Sequence, residues 1–248
     1  MSDQHRSAPF LRTDQVVLVI LAGGFGKRVQ HLLPDVPKPM APVAGKPFLE
    51  WVVRYWARQG IQKVVLSTGY LAETVERHFR DHAVEGVQTL CIAEPKPLGT
   101  AGGFLHAAHQ SGEKPAAWLV ANGDSLAFPE LSEMLRLLES PPADGVLIGA
   151  AMEESQRYGR IIADPAGNLV RFDEKKGGAG IINAGIYLFR STLLQLFPAE
   201  VPLSFEKDVF PSLISRKVCL KVKVIKSPFL DIGTPDSLLK GEPFIEQN

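Results

Sequence analysis

Three glycines in four positions, Gly23, Gly24 and Gly26, followed at once by Lys27 and Arg28, are the first residues of this chain whose types and spacing ask for a ligand. Glycine lets a ligand approach the main chain closely. Successive N–H groups in such a turn form a nest for an anion. Lys27, Arg28 and the later Lys38, whose backbone is fixed between Pro37 and Pro39, would add positive charge around a triphosphate. Two phosphate motifs are excluded. A P-loop requires Ser or Thr after its Gly-Lys pair, but Gly26-Lys27 is followed by Arg28. The dinucleotide fingerprint requires Gly or Ala at its sixth position, and counting from Gly24 that position is Val29.

Other chemistry-bearing residues weigh less. His106 and His109 lack the spacing and the glutamate of a zinc protease. With His78 and His82 they read as exposed helix residues. No Ser lies within G-x-S-x-G, which disfavours an α/β-hydrolase. Trp51, Trp56 and Trp118 suit core or interface packing better than base stacking.

The elements that must position the glycine loop are legible from periodicity. Val16 to Leu21 is a continuous apolar run ending at the loop, the pattern of a strand buried on both faces. Pro47 reads as the first residue of a helix over 48–59 with Phe48, Val52 and Trp56 on one face, stopped by Gly60. Strands over 63–67 and 88–93, short helices over 73–79 and 102–110, and a buried strand over 117–121 follow. Leu131, Met134, Leu135 and Leu138 mark another helix, and 145–151 another unbroken strand.

This alternation predicts an α/β fold: a Rossmann-like three-layer sandwich around a mostly parallel mixed sheet, with ligands at the carboxyl ends of the strands. Beyond residue 150 the pattern changes. Segments 159–163 and 169–172, joined by Asp164 to Asn168, read as an antiparallel hairpin. A strand over 185–190 follows, then helices begun by Ser191 and Ser204, and a half-exposed strand around Val218 to Val224. The expectation is one domain over 15–240, with a nucleotide-binding half (15–150) and an antiparallel substrate-binding half (151–240), behind a flexible tail at 1–14.

Composition bounds the partners. Lys and Arg together equal Asp and Glu at 27 each, and this zero net charge argues against nucleic acid. Cys91 and Cys219 form no disulfide framework and read as reduced core thiols in strands, which points to the cytoplasm. The polar residues 1–14 are not a secretory signal. No run approaches the ~18 apolar residues that span a membrane.

Read together with Pro37-Lys38-Pro39, the glycine loop resembles the G-G-x-G-[ST]-R-[LM] … P-K-P signature of the sugar-1-phosphate nucleotidyltransferases. Within them the chain is most similar to the D-glycero-α-D-manno-heptose 1-phosphate guanylyltransferases. Ser67 to Tyr70, Glu94 with Pro97 to Thr100, Asn122-Gly123-Asp124, Phe172 to Lys175 and Asp231 to Pro235 continue the resemblance in order. Two departures stand out. Lys27 replaces the usual Ser or Thr, and Gly99-Thr100-Ala101-Gly102-Gly103 leans toward the mannose enzymes.

The resemblance implies attack of a sugar 1-phosphate oxygen on the α-phosphorus of a nucleoside triphosphate, with pyrophosphate leaving. It implies Mg²⁺ on Asp124 and Asp231, and charge neutralisation by Arg28 and Lys38. Leu21 through Gly24, Gly26 to Arg28, Glu94, Gly99 and Thr100 would hold the nucleotide. Tyr158, Gly159, Glu174, Lys175, Asn183 and Gly185 would hold the sugar phosphate. Glu94, placed where the family reads the base, favours GTP, because one carboxylate accepts together from guanine N1 and its exocyclic amine. The product would be a GDP-heptose for surface polysaccharide. Mannose 1-phosphate guanylyl transfer and N-acetylmuramate 1-phosphate uridylyl transfer are the competing activities. Outside enzymes, a sugar-nucleotide sensor would lack Arg28, Lys38, Asp124 or Asp231, and all four are present. The pattern leaves a homo-oligomer open.

Overall fold

The computed structural model describes residues 11–139, 143–155, 158–173 and 178–248. Its first strands are β1 (Val16–Ala22), the short pair β2 (Pro42–Val43) and β3 (Lys46–Pro47), β4 (Lys63–Thr68), β5 (Gln88–Ala93) and β6 (Ala117–Asn122). Then come β7 (Ser125–Ala127), β8 (Gly145–Met152), β9 (Arg160–Ala163), β10 (Leu169–Asp173), β11 (Gly180–Arg190), β12 (Leu220–Ile225) and β13 (Phe229–Asp231). The helices are α1 (Phe48–Arg58), α2 (Ala72–Asp81), α3 (Thr100–Gln110) and α4 (Leu131–Glu139), followed by α5 (Phe210–Ser215), α6 (Pro235–Leu239) and α7 (Gly241–Gln247).

Because strand side chains alternate between faces, β1 serves two cores. Val16, Leu18 and Ile20 pack toward Phe48, Trp56 and Val75 of α1 and α2 and Met134 of α4. Val17 and Val19 pack toward Phe104 of α3 and Phe210 and Leu213 of α5. This is the expected three-layer sandwich. Phe104, Phe189, Phe205 and Phe210 form an aromatic knot in the second core, with ring centroids 5.7–6.4 Å apart.

β1 lies between β4 and β6, parallel to both, and β5 extends the parallel edge beyond β4. On the other side β11 runs antiparallel to β6, with Ile186 opposite Ala121, and then antiparallel to β8; β12 joins β8 in parallel. The simple β-α-β-α-β succession therefore needs a correction. β8 does not neighbour β6, because β11 is inserted between them. Its residues 184 to 189 are all buried, so β11 carries the apolar surface an interior strand requires. It also begins five residues earlier than the periodicity shows, and its start holds the β9–β10 hairpin.

Local expectations are corrected too. Pro47 is the N-cap of α1 rather than its first residue. Ser191 caps nothing; its hydroxyl donates instead to Pro115 O at 2.6 Å. Ser204 does cap its helix, accepting from Lys207 N. His78 is not an exposed helix residue: its Nε2 lies 2.8 Å from Oε2 of buried Glu50, which also accepts from Arg54. Residues 11–14 are not a loose tail, since Leu11 N donates to Glu139 and Thr13 opens a 3-10 turn. Both cysteines are free and half-buried rather than core, and Cys219 stands one residue before β12. Among the described residues no helix is long and apolar enough to cross a membrane.

Candidate active site

The glycine loop leaves the carboxyl end of β1 and borders a cavity of about 280 Å³. Leu21, Ala22, Gly24, Gly26, Lys27 and Arg28 line it, as do Lys38, Pro39, Asp124 and Gly233. Gly26 has φ +59°, and a methyl group placed on it would lie 2.6 Å from Lys38 Cβ. Glycine is thus what allows the loop to close onto Lys38. Gly23 turns the other way. A methyl group on it would strike Glu94 Oε1 at 2.4 Å.

Asp124 and Asp231 are joined by a two-stranded ribbon. β7 begins just after Asp124 and pairs antiparallel with β13, placing Asp231 opposite Ser125, while Ile232 N donates to Asp124 O at 3.0 Å. Lys38 stands between the two carboxylates. Its Nζ donates to Asp124 Oδ2 at 2.7 Å and lies 3.5 Å from Asp231 Oδ1. Lys38 is only 8% exposed, and a buried ammonium requires such partners. Asp231 also accepts from Gly233 N. The two carboxylates to which the resemblance assigns Mg²⁺ are therefore brought to one point.

A second cavity, of about 240 Å³, lies across Asp124. Tyr158 and Asn183, both expected on the sugar side, line it together with Asp231, and Asp124 lines both cavities. Gly185 is buried and is not among the residues lining this cavity: it has φ +71°, and a methyl group there would strike the amide of Asn122, which does line it. Gly159 accepts from Asn183 N through its carbonyl, at 3.4 Å. Glu174 and Lys175 fall outside the described residues.

Two nucleotide-side expectations are placed elsewhere. Thr100 lines the second cavity, not the glycine-loop cavity, because its Oγ1 accepts from Phe205 N at 3.1 Å. Gly99 is committed to packing, with Leu203 O 2.5 Å from where a methyl group would sit. Glu94 lies at the end of β5, its carboxylate accepting from Leu98 N at 3.0 Å and Ser67 Oγ at 3.3 Å. It abuts Gly23 but does not line the glycine-loop cavity.

Sequence reasoning missed Asn122, Ser125, Tyr187, Ser204 and Glu206 as lining residues. Asn122 was within reach, since it precedes Gly123-Asp124 in a recognised segment. Nothing local signals Glu206. Two larger cavities, of about 600 Å³ each, are lined in part by Trp51, Tyr55 and Phe128 and by His109 and Trp118, and contain none of the predicted site residues.

A glycine loop with basic side chains at a strand end and a convergent carboxylate pair suit nucleotidyl transfer. The nucleotidyl transferase family model matches residues 17–248, and the chain belongs to that family. It is thus an enzyme of the sugar-1-phosphate nucleotidyltransferase class. It is 33% identical over 225 residues to the D-glycero-α-D-manno-heptose 1-phosphate guanylyltransferase of Aneurinibacillus thermoaerophilus, covering 90% of this chain and 96% of the relative. It is 34% identical over 234 residues to the mannose-1-phosphate guanylyltransferase of Mycobacterium tuberculosis, covering 93% of this chain and 65% of the relative. The crystal structure of HddC from Yersinia pseudotuberculosis complexed with GMP-PN superposes with a TM-score of 0.79 and 29% identity, covering 93% of this chain and 99% of that one.

Proposed function

We propose that this enzyme transfers GMP from GTP to D-glycero-α-D-manno-heptose 1-phosphate, releasing pyrophosphate and giving a GDP-heptose. The observation that carries the transfer is Asp124 as the common wall of two cavities, with Lys38 and Asp231 against it. One cavity has the glycine nest and basic side chains that a triphosphate needs. The other has the hydroxyl, amide and carboxylate groups that suit a sugar. The sugar is argued from the near full-length similarity to a heptose enzyme.

The loop N–H groups would cradle the triphosphate, with Lys27 and Arg28 opposing its charge. Lys38 would neutralise the charge growing on pyrophosphate as the sugar's phosphate oxygen attacks the α-phosphorus. Such a reaction depends on positioning and charge stabilisation more than on covalent help. The donor set at Asp124 and Asp231 fits Mg²⁺, which takes one or two carboxylates plus phosphate and water oxygens. Both carboxylates reach the same Nζ, so both can reach one cation. When bound, Mg²⁺ supplies charge neutralisation on the phosphates.

Glu94 is the proposed reader of the base. A carboxylate offers about four acceptor sites, and two protein donors occupy part of them. The remainder suits the paired donors of guanine. Mannose 1-phosphate is the second reading, favoured by the Gly99-to-Gly103 segment and the mycobacterial relative.

A matrix of four nucleoside triphosphates against heptose, mannose and N-acetylmuramate 1-phosphates, read as pyrophosphate release, tests this. GTP with heptose 1-phosphate is expected to turn over fastest. Activity confined to UTP or dTTP sinks the base assignment, and a preference for mannose 1-phosphate sinks the sugar.

A further inference from the structure

The second cavity contains a side-chain network that neither the nest nor the carboxylate pair uses. Asn183 Nδ2 donates to Tyr187 Oη at 2.7 Å and to Glu206 Oε1 at 2.7 Å, and Asn183 Oδ1 accepts from Gly185 N at 3.1 Å. A primary amide has two protons to give, so both are spent within the protein. Asn183 therefore has no donor left for a sugar. It holds Glu206 in place.

Glu206 is fixed from its own backbone as well. Phe205 is buried in the aromatic knot and its N–H is held by Thr100; Ser204 N donates to Asp208 Oδ2 at 2.7 Å. Between these anchors the Glu206 side chain is exposed at the cavity wall, and its Oε2 has no hydrogen-bond partner among the described residues. Tyr187 is 3% exposed, and its hydroxyl accepts from Asn183 while its own proton has no acceptor among the described residues. Burial, and after it the neighbouring Glu206, push the pKa of that phenol above its ordinary value, so it stays protonated and a donor.

We propose that Glu206 is the specificity residue for the sugar ring, accepting hydrogen bonds from the hydroxyls of a neutral sugar and excluding sugar 1-phosphates that carry a carboxylate. Asn183 is its positioning residue. The charge pattern agrees. Asp124, Asp231 and Glu206 line this cavity, and among its described lining residues there is no basic side chain. Asp124 and Asp231 are offset by Lys38, whereas a ring carboxylate placed beside Glu206 would meet a carboxylate with no basic side chain among the described lining residues. The inference rests on the reading that this cavity takes the sugar 1-phosphate. It deepens that reading by selecting heptose or mannose over N-acetylmuramate.

The test compares wild type, Glu206→Gln, Asn183→Ala and the double variant, with whichever of D-glycero-α-D-manno-heptose 1-phosphate and mannose 1-phosphate the wild type turns over faster as the neutral probe and glucuronic acid 1-phosphate as the anionic one. Each is measured with all four nucleoside triphosphates, as substrate or as competitive inhibitor. Charged hydrogen bonds of this kind are worth roughly 10- to 100-fold. Glu206→Gln is therefore expected to raise KM for the neutral probe by about that factor and to tighten the anionic one, leaving KM for the nucleotide unchanged. Opposite movement of the two probes is something a merely structural role does not produce. Asn183→Ala is expected to raise the same KM, and the double variant to add little beyond either single change. Parallel movement of both probes, or an unchanged ratio between them, overturns the proposal. Turnover with UTP alone removes the guanylyl reading and leaves the Glu206 comparison standing; no turnover with any nucleotide overturns both.

Discussion

The two cavities meet at Asp124 but are assembled differently. The glycine-loop cavity takes most of its wall from one continuous segment, Leu21 to Arg28, hung on the end of the most buried strand of the sheet. The second cavity takes its wall from α3, β6, β11, the turn at Ser204 to Glu206 and β13. Phosphate can be held by main-chain groups that any sequence supplies once the turn is right. A sugar's hydroxyls must be read by side chains, and side chains that converge usually come from separate elements. The first cavity can therefore be reshaped by changing one loop, the second only by changing several separate elements.

The shared wall should be the most sensitive point. Asp124→Asn removes one of the two carboxylates beside Lys38 and leaves that buried ammonium with Asp231 at 3.5 Å. Loss of a single electrostatic partner in an active site costs about 10²- to 10³-fold in kcat. Pyrophosphate release from Asp124→Asn should fall by that order, and Tm should fall as well, because the buried Lys38 ammonium loses its nearer charged partner. Full turnover in this variant would remove Asp124 from the chemistry of both cavities.

The next contrast concerns glycines. Gly185 sits at the irregularity in β11 with φ +71° and the Asn122 amide against it. Gly185→Ala adds a left-handed backbone penalty of ~1–2 kcal/mol and an overpacking cost of ~1–3 kcal/mol. For a chain of this length each kcal/mol lowers Tm by about 2–4 °C, so a fall of roughly 5–15 °C is expected in a thermal melt. An unchanged Tm would mean that β11 yields easily, and that the second cavity is not framed by a rigid sheet.

How much of this was legible follows the same division. The apolar run of β1, the glycines, Lys38 between prolines and the later Asp124 are local patterns, and each lands where its pattern places it. The insertion of β11 was not legible, because an antiparallel interior strand has the same unbroken apolar character as a parallel one. Thr100 was legible as a site residue but not as belonging to the second cavity, since its orientation depends on Phe205 far along the chain. Glu206 looks like any exposed glutamate in a helix until Asn183 is seen to hold it.

The nucleotide half has an ionic staple as well. Glu50 is 3% exposed and joins α1 to α2 through His78. Burial alone would push its carboxyl up. The hydrogen bonds from Arg54 and His78, with the charges of Arg54 and Lys46, outweigh that and hold it below its ordinary value of 4.5. A lowered folded-state pKa means that its stabilisation is complete above the unfolded value and is lost as pH falls through the folded one. Glu50→Gln is expected to lower stability by ~1–3 kcal/mol near neutrality. The gap to wild type in urea melts should close progressively below about pH 4.5. A gap constant from pH 7 to 3 would show that shape, not charge, makes this contact.

The smallest structural effect separates a glycine required by the fold from one required by a ligand. Gly24 lines the glycine-loop cavity, its φ is not positive, and a methyl group on it would meet nothing within 4 Å. Gly24→Ala should therefore leave stability within ~0.5 kcal/mol of wild type, as exposed substitutions do. If the loop cradles a triphosphate, the added methyl group stands where phosphate oxygens approach the main chain, so KM for the nucleotide should rise while KM for the sugar 1-phosphate holds. Gly185→Ala should do the reverse, losing Tm first and the sugar before the nucleotide. If Gly24→Ala changes neither constant, the loop does not touch the triphosphate, and its open space belongs to the fold alone.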